Sequence, residues 1–351
     1  MDTNPVKTSY AQAGVDTDLS ARVKRQIGAL ARTTFNPNVL SGIGFFGGMY
    51  EFKGYNNPVL ISSVDQVGTK TKIAKALNKF DTVGIDIVSH CVNDIFTSGA
   101  DPIFFLDYLG TSKLVAGHAE DIVKGLAKAC KDVNCALIGG ELGEMPGLYA
   151  TDDDFDLVGF IIGAVEKDKI IMGKTIEAGN AVLGLPSNGL HTNGYSLVRM
   201  IFGETPDRLN VRYTELGCTL GEALLKPHIC YYNRLKPHLS LIKGLAHITG
   251  SGLIGNVPRV LPAGLAADFH SDSWTIPPIF KLIQRQGNVS KDEMFQVFNM
   301  GVGMVVICSQ ANAKQLTQAL PEAAIIGKII TQPGDSRVVI DGTGYHKDKV
   351  A

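Results

Sequence analysis

Four glycine-punctuated segments, three of which carry a charged or imidazole side chain, limit what this chain can fold into: Asp65–Lys70 (DQVGTK), Gly139–Gly147 (GGELGEMPG), Gly189–Gly194 (GLHTNG) and Thr249–Gly252 (TGSG). Glycine allows backbone N–H groups to approach an anion closely, and carboxylates beside such turns hold the cation that accompanies a polyphosphate. Together the four segments read as a phosphate-handling surface set on the ends of regular elements.

A chain of 351 residues exceeds what one hydrophobic core usually organises, so two domains are expected. With 45% hydrophobic and 19% charged residues, the composition is that of a folded α/β protein. A formal charge of -1 provides no general attraction for nucleic acid or an anionic membrane, and the expected ligand is a small molecule. The polar Met1–Asp16 stretch lacks the apolar run of an export signal, and the longest apolar stretch, Leu157–Val165, is too short to span a bilayer, so a cytoplasmic protein is expected. Six cysteines show no C-x-x-C pair and no cysteine–histidine cluster, which points to free thiols.

Periodicity predicts a layered α/β arrangement in both halves. In the first half, strands are expected at Val59–Val64, Ile103–Leu109, Cys135–Ile138 and Phe155–Glu166, and helices at Thr82–Ser98 and Ala116–Val133. The first strand would end at Asp65, and the third would deliver a Gly139-Gly140-Glu141 loop. A charged, glycine-containing stretch over Lys167–Asn180 marks the boundary, giving domains 1–170 and 171–351. Beyond it, strands are expected at Ala181–Leu185, Ala246–Ile248, Val302–Cys308, Ile325–Ile330 and Arg337–Ile340. Helical segments are expected near Gly194–Phe202, Leu220–Lys226, Tyr231–Ile242, Gly252–Leu261 and Gln310–Leu320.

Several residues on these elements can carry chemistry. Asp65, Gly68, Thr69 and Lys70 follow a strand: Lys70 would hold phosphate and Asp65 a magnesium ion, although the spacing is not that of a P-loop. A turn before a solvated lysine stretch (Lys70, Lys72, Lys75) accounts for the same residues. Asp86, His90 and Asp94 stand four apart and share one helix face, either around a cation or as a solvent-facing stripe. Glu141, after Gly140, would join Asp65 and Asp94 around Mg²⁺, which favours oxygen donors, or else cap a turn. Asp152–Asp154 reads as a solvated loop. His191 lies in a glycine-bounded loop with Thr192 and Asn193, where Asn193 would cap the next helix and the imidazole would adjoin phosphate. Gly250, Ser251 and Arg259 offer a second anion site, and Gly47 and Gly48 are further candidates for substrate or phosphate. His118, His228, His238, His247, His270 and His346 show no supporting pattern.

Over nearly its whole length the chain resembles the phosphoribosylformylglycinamidine cyclo-ligases, the aminoimidazole ribonucleotide synthetases of purine biosynthesis. Besides the four segments, the resemblance rests on Tyr10–Asp16 (YAQAGVD), Gly84–Val88 (GIDIV), Cys91–Asp94 (CVND), Phe104–Tyr108 (FFLDY), Gly140-Glu141 with Glu144–Gly147 (EMPG), His191–Leu197 (HTNGYSL), Pro258–Pro262 (PRVLP) and Phe298–Met304 (FNMGVGM). It implies a homodimer whose N-terminal domains join their strands in a barrel, with a mixed-sheet C-terminal domain completing the cleft. It also implies ATP and Mg²⁺ as cofactors and formylglycinamidine ribonucleotide as substrate, with Asp65, Lys70, Asp94 and Glu141 on the nucleotide and metal motifs and Lys70 and His191 in catalytic roles. The implied ligase uses ATP to phosphorylate the formyl-amide oxygen before the amidine nitrogen closes the ring. The chain departs from the family at Gln66, where glycine is usual, Leu142 for threonine, Ser251 for glycine and Gly255 for glutamate. A non-catalytic nucleotide-binding regulator and a diverged relative phosphorylating another acceptor are the alternatives. Selenophosphate synthetases resemble the same fold but carry a reactive N-terminal Cys or Sec, and here the first cysteine is Cys91.

Overall fold

The computed structural model describes residues 16–345. Tyr10–Val15 of the first motif, and His346, lie outside the described residues. The described chain opens with α1 (Thr17–Arg32), an amphipathic helix the periodicity reading did not anticipate. The Asp16 carboxylate caps it by accepting from the backbone of Asp18 and Leu19, both at 3.0 Å, and Arg32 stands in the last turn, where a cation suits the helix dipole.

The first sheet is built from β1 (Pro58–Gln66), β2 (Asp101–Thr111), β3 (Ala136–Glu144) and β4 (Phe155–Glu166) in the order β1-β4-β2-β3. The intervening helices are α2 (Lys70–Ala76), α3 (Asp81–Phe96) and α4 (His118–Asp132). α4 is the crossover between the parallel strands β2 and β3, while β4 runs antiparallel to both of its neighbours. Alternation along β1 sends Ser63 and Asp65 toward α3 and leaves Leu60 and Val64 on the outward face. Two details differ from the sequence reading. Asp65 lies within β1, paired with Gly159, and Gly139–Glu141 are part of β3 itself, paired with Leu106–Tyr108. Within one chain these four strands form an open sheet.

The second sheet has seven strands in the order β13-β12-β9-β11-β5-β10-β8. They are β5 (Ala181–Pro186), β8 (Gly244–His247), β9 (Leu265–Phe269), β10 (Val302–Cys308), β11 (Ala324–Thr331), β12 (Val338–Ile340) and β13 (Thr343–Tyr345); β6 (Arg212–Tyr213) and β7 (Cys218–Thr219) form a separate ribbon. β10, an interior strand between β5 and β8, is buried at every residue. Helices α5 (Tyr195–Phe202), α6 (Pro206–Leu209), α7 (Leu220–Leu224), α8 (Tyr232–Leu235), α9 (Gly252–Asn256), α10 (Pro278–Gly287), α11 (Lys291–Val297) and α12 (Gln310–Ala319) complete this half. The 3-10 segments Lys236–Leu241 and Val257–Arg259 follow α8 and α9. All six cysteines are free, and among the described residues no helix is long and apolar enough to cross a membrane.

Candidate functional site between the two sheets

Three of the four glycine-punctuated segments meet where α3 faces the second half of the chain. Thr69 and Ser196, at the start of α5, place their hydroxyls 3.2 Å apart. Gly250 backs onto Asn193 so closely that a Cβ there would lie 2.9 Å from the Asn193 amide oxygen. Asp65 at the end of β1 and the polar face of α3 form the floor beneath these loops.

The stripe of Asp86, His90 and Asp94 is not a solvent face. Asp86 and His90 are buried, and Asp94 stands at the rim. The Nε2 of His90 faces Asp65 Oδ2 at 2.9 Å and Asp94 Oδ2 at 3.9 Å, and its Nδ1 lies 2.9 Å from Thr192 Oγ1. Burial works to lower the pKa of His90, but Asp65, Asp94 and Asp86 outweigh it and the net direction is upward. Burial works to raise the Asp65 carboxyl, yet contact with His90 holds it below its usual range; Asp94 behaves likewise, with His247 as its chief counterweight.

Two histidines without a sequence pattern belong to the site. Nδ1 of His247, the last residue of β8, lies 2.7 Å from Asp94 Oδ1, and its Nε2 lies 2.9 Å from Nε2 of His228. His228 stacks on His191 with centroids 4.0 Å apart. The only local mark His247 bears, unused in the sequence reading, is its place at the end of an apolar strand two residues before the Thr249–Gly252 segment. His228 carried none. Asn93, also on α3, secures the neighbouring turn by accepting from Tyr231 N at 2.9 Å and donating to Ile229 O at 2.8 Å.

Four expected roles change. Lys70 is wholly buried: it pairs with Asp86 at 2.8 Å and donates to the carbonyls of His191 (3.1 Å) and Lys226 (2.9 Å), so it fastens the two halves together and does not present its ammonium to phosphate. Nor are its neighbours freely solvated, because Lys72 and Lys75 pair with Asp154, itself buried, at 2.6 and 2.9 Å. His191 adopts φ 60° and is buried with neither ring nitrogen hydrogen-bonded; desolvation, with His247, Lys70 and His90 nearby, holds its pKa well below the usual value. It is a neutral ring inside the wall and does not act as a cation facing the cleft. Asn193 does not cap α5; Gly194 in the left-handed region does so without a side-chain bond.

Glu141 does not join the two aspartates within one chain. Asp65, Gly159, Asp107 and Gly140 form one transverse row across β1, β4, β2 and β3, so Asp65 and Gly140 sit on opposite edge strands, about 14 Å apart at the usual strand spacing. Glu141 follows in β3, beside Tyr108 and on the outward face, and it is exposed. Gly140 has a structural purpose: any Cβ there would collide with the Asp107 carboxylate. Gly48 packs on Ile138 of β3, Gly47 is exposed beside it, and Arg259 is exposed at the end of the Val257–Arg259 turn. Gly68, at φ 66°, makes the turn from β1 into α2. Gln66 is ordinary strand and Ser251 has φ -109°, so neither departure from glycine strains the backbone.

Known proteins agree with this architecture. The N-terminal domain of AIR synthase related proteins matches residues 49–165, and the C-terminal domain of that family matches residues 177–340. The chain is 47% identical over 333 residues to a phosphoribosylformylglycinamidine cyclo-ligase of Thermoanaerobacter sp. (strain X514), covering 93% of this chain and 98% of the relative. It is 48% identical over 337 residues to the cyclo-ligase of Alkaliphilus oremlandii (strain OhILAs), with the same coverage. Among solved structures, thiamine-monophosphate kinase from Stenotrophomonas maltophilia K279a shares the fold at TM-score 0.64 and 16% identity, covering 94% of this chain and 98% of that one. Hydrogenase maturation protein HypE in complex with ATP does so at TM-score 0.63 and 17% identity, covering 92% and 91%. With both halves matched by the family's domains and relatives of nearly half identical sequence along almost the entire length, the chain belongs to the AIR synthase related family, among the phosphoribosylformylglycinamidine cyclo-ligases.

Proposed function

We propose that this protein closes the ring of formylglycinamidine ribonucleotide to 5-aminoimidazole ribonucleotide, converting ATP to ADP and phosphate. The observation that carries the reading is the convergence of Asp65, from β1, and Asp94, from α3, at the mouth of the cleft formed with the His191–Asn193 and Thr249–Ser251 loops. The two carboxylates are about one-third exposed, so their oxygens are available to a divalent ion, while the imidazoles behind them are closed to solvent. When bound, Mg·ATP supplies the phosphoryl group that turns the formyl-amide oxygen into a leaving phosphate.

The protein's own residues position and neutralise. Asp65 and Asp94 hold the cation, and Thr69, Asn193, Gly250 and Ser251 line the adjoining loops where phosphate oxygens would meet backbone N–H groups. His191 keeps its loop in a left-handed turn and supports the His228 ring, which steadies His247 against Asp94. Lys70 and Asp86 lock α2 and α3 to the second half, so the carboxylates keep their place relative to the loops. We assign residues 1–170 to the nucleotide-binding and dimerisation domain and 171–351 to the domain that completes the cleft, in a cytoplasmic homodimer.

Purified protein mixed with ATP, Mg²⁺ and formylglycinamidine ribonucleotide is expected to release ADP only with substrate present and to form the aminoimidazole product. Tight ATP binding with neither product would replace the enzyme by a regulator. The Asp94→Asn variant is expected to raise the KM for Mg·ATP by about tenfold or more. Unchanged ATP kinetics would remove Asp94 from the site.

A further inference from the structure

We propose that the cleft beside the linker between the two halves is a second small-molecule site, one that takes a nucleoside monophosphate, with its phosphate on Lys167, Lys169 and Lys174 and its flat base along Ile171, Met172 and Leu239. The cleft spans about 1030 Å³ between the linker on one wall and the Lys236–Leu241 turn with Ile242 and Lys243 on the other. That volume is close to the upper end of the range for small-molecule sites, which often form where domains meet. The cleft lies apart from the carboxylates of the catalytic site. It sits at the Pro58–Glu166 end of the β1–β4 pair, and Asp65 is seven residues further along β1, roughly 23 Å at the usual rise.

Charge selects the ligand. Five lysines and three carboxylates line the cleft, an excess of cations in a chain whose formal charge is -1. Two of the carboxylates are already engaged. Asp101 pairs with Lys236 and accepts from the Tyr232 hydroxyl at 2.7 Å, and Glu166 accepts from the backbone of Asn56 and Asn57 at 2.8 and 2.9 Å. Lys243 pairs with Glu177, whereas the exposed Lys167, Lys169 and Lys174 enter no ion pair among the described residues; Lys169 acts on Glu166 only at longer range. Three unpaired ammonium groups on one wall of a concave surface focus a positive potential there, which suits the dianion of a phosphate monoester. Apolar surface adjoins them in the same lining: Met172 is 59% exposed, and Ile171 and Leu239 are half-buried. Tyr55 at the rim stacks on Phe52 with ring centroids 5.3 Å apart. Inorganic phosphate leaves this surface in water, and a base attached to the phosphate covers it.

The walls are fixed before a ligand arrives. Lys167 N donates to Asn57 O and Ile171 N to Ser98 O, both at 3.0 Å, which ties the linker to the first half. On the other side Gly173, at φ 71°, lies so close to the second half that a Cβ would stand 1.9 Å from the Val260 carbonyl oxygen. A cleft held in this way binds without first having to order its walls.

Binding here needs neither Mg²⁺ nor the cyclisation substrate, so it succeeds or fails separately from the cyclisation assay. AMP is titrated calorimetrically into the full-length protein at low ionic strength without Mg²⁺. The expected result is saturable binding at least about tenfold tighter than that of adenosine or of inorganic phosphate. A double variant, Lys169→Glu with Lys174→Glu, is expected to weaken AMP binding by at least about tenfold, while Asp94→Asn leaves it unchanged. In the unaltered protein, 8-azido-AMP should photolabel a peptide from 165–175 or 236–243, a reading that stands even if the double variant fails to fold. No saturable AMP binding, label confined to the 189–196 or 249–252 loops, unchanged affinity in the double variant, or adenosine or phosphate binding as tightly as AMP overturns the proposal.

Discussion

Asp107 shows how a single side chain can depend on a position its own sequence neighbourhood does not reveal. It lies on the helix side of β2, opposite Gly140, and burial pushes its carboxyl up to about 7 from an ordinary value of 3.8. In the unfolded chain the group ionises near that ordinary value, so its contribution to stability is complete below about pH 4 and is lost as pH rises to about 7. Asp107→Asn should therefore change little at pH 4 and raise stability at pH 8 by on the order of 2 kcal/mol, measured by urea unfolding at both values. An equal effect at the two pH values would mean that burial does not control this carboxyl. The same limit applied to Lys70. Its place after a strand was legible, but the pairing with Asp86 that withdraws it from phosphate joins α2 to α3 and could not be read from spacing.

Among the elements, α3 was the most legible because its apolar residues recur at helical spacing, and polar residues four apart single out Asp86, His90 and Asp94 on one face. What spacing left open was which face was buried. The answer comes from packing on both sides: Ile87 and Cys91 approach Gly159 of β4, while Gly84 and Gly125 let α3 and α4 cross backbone to backbone. A Cβ on Gly84 would collide with the Ile122 carbonyl, and one on Gly125 with that of Asp81. Gly84→Ala is expected to cost about 1–3 kcal/mol, read as a lowered urea midpoint at unchanged slope. No loss would mean that the helices separate freely at this crossing. Elements with weak periodicity escaped the sequence reading. β9 is interrupted by Ala266, Ala267 and Asp268, five of the seven residues of α2 are lysine or alanine, and α10 and α11 follow one another through the short link 288–290.

At the scale of the whole molecule, the outward face of the first sheet presents Leu60, Val64 and Phe160, 61%, 57% and 41% exposed, on neighbouring strands. Apolar side chains side by side on an open sheet suit a second copy of this chain, in keeping with the proposed homodimer. Phe160→Asp should convert a dimer to a monomer in sedimentation velocity without lowering the unfolding temperature of the monomer; a monomeric parent protein would remove the dimer from the proposal. By itself, the sequence determined the layered α/β architecture, the strongest helices and strands and the family, and it singled out Asp65, Asp94, Thr192 and Gly250 as candidate site residues. These are matters of periodicity and local motif, which a linear chain displays. Only the tertiary structure decided that Lys70 is internal, that Glu141 points away on the far edge of its sheet, and that His247, 153 residues from Asp94, lies 2.7 Å from it. Such contacts depend on how two independently patterned sheets dock, and short-range residue spacing contains no record of that.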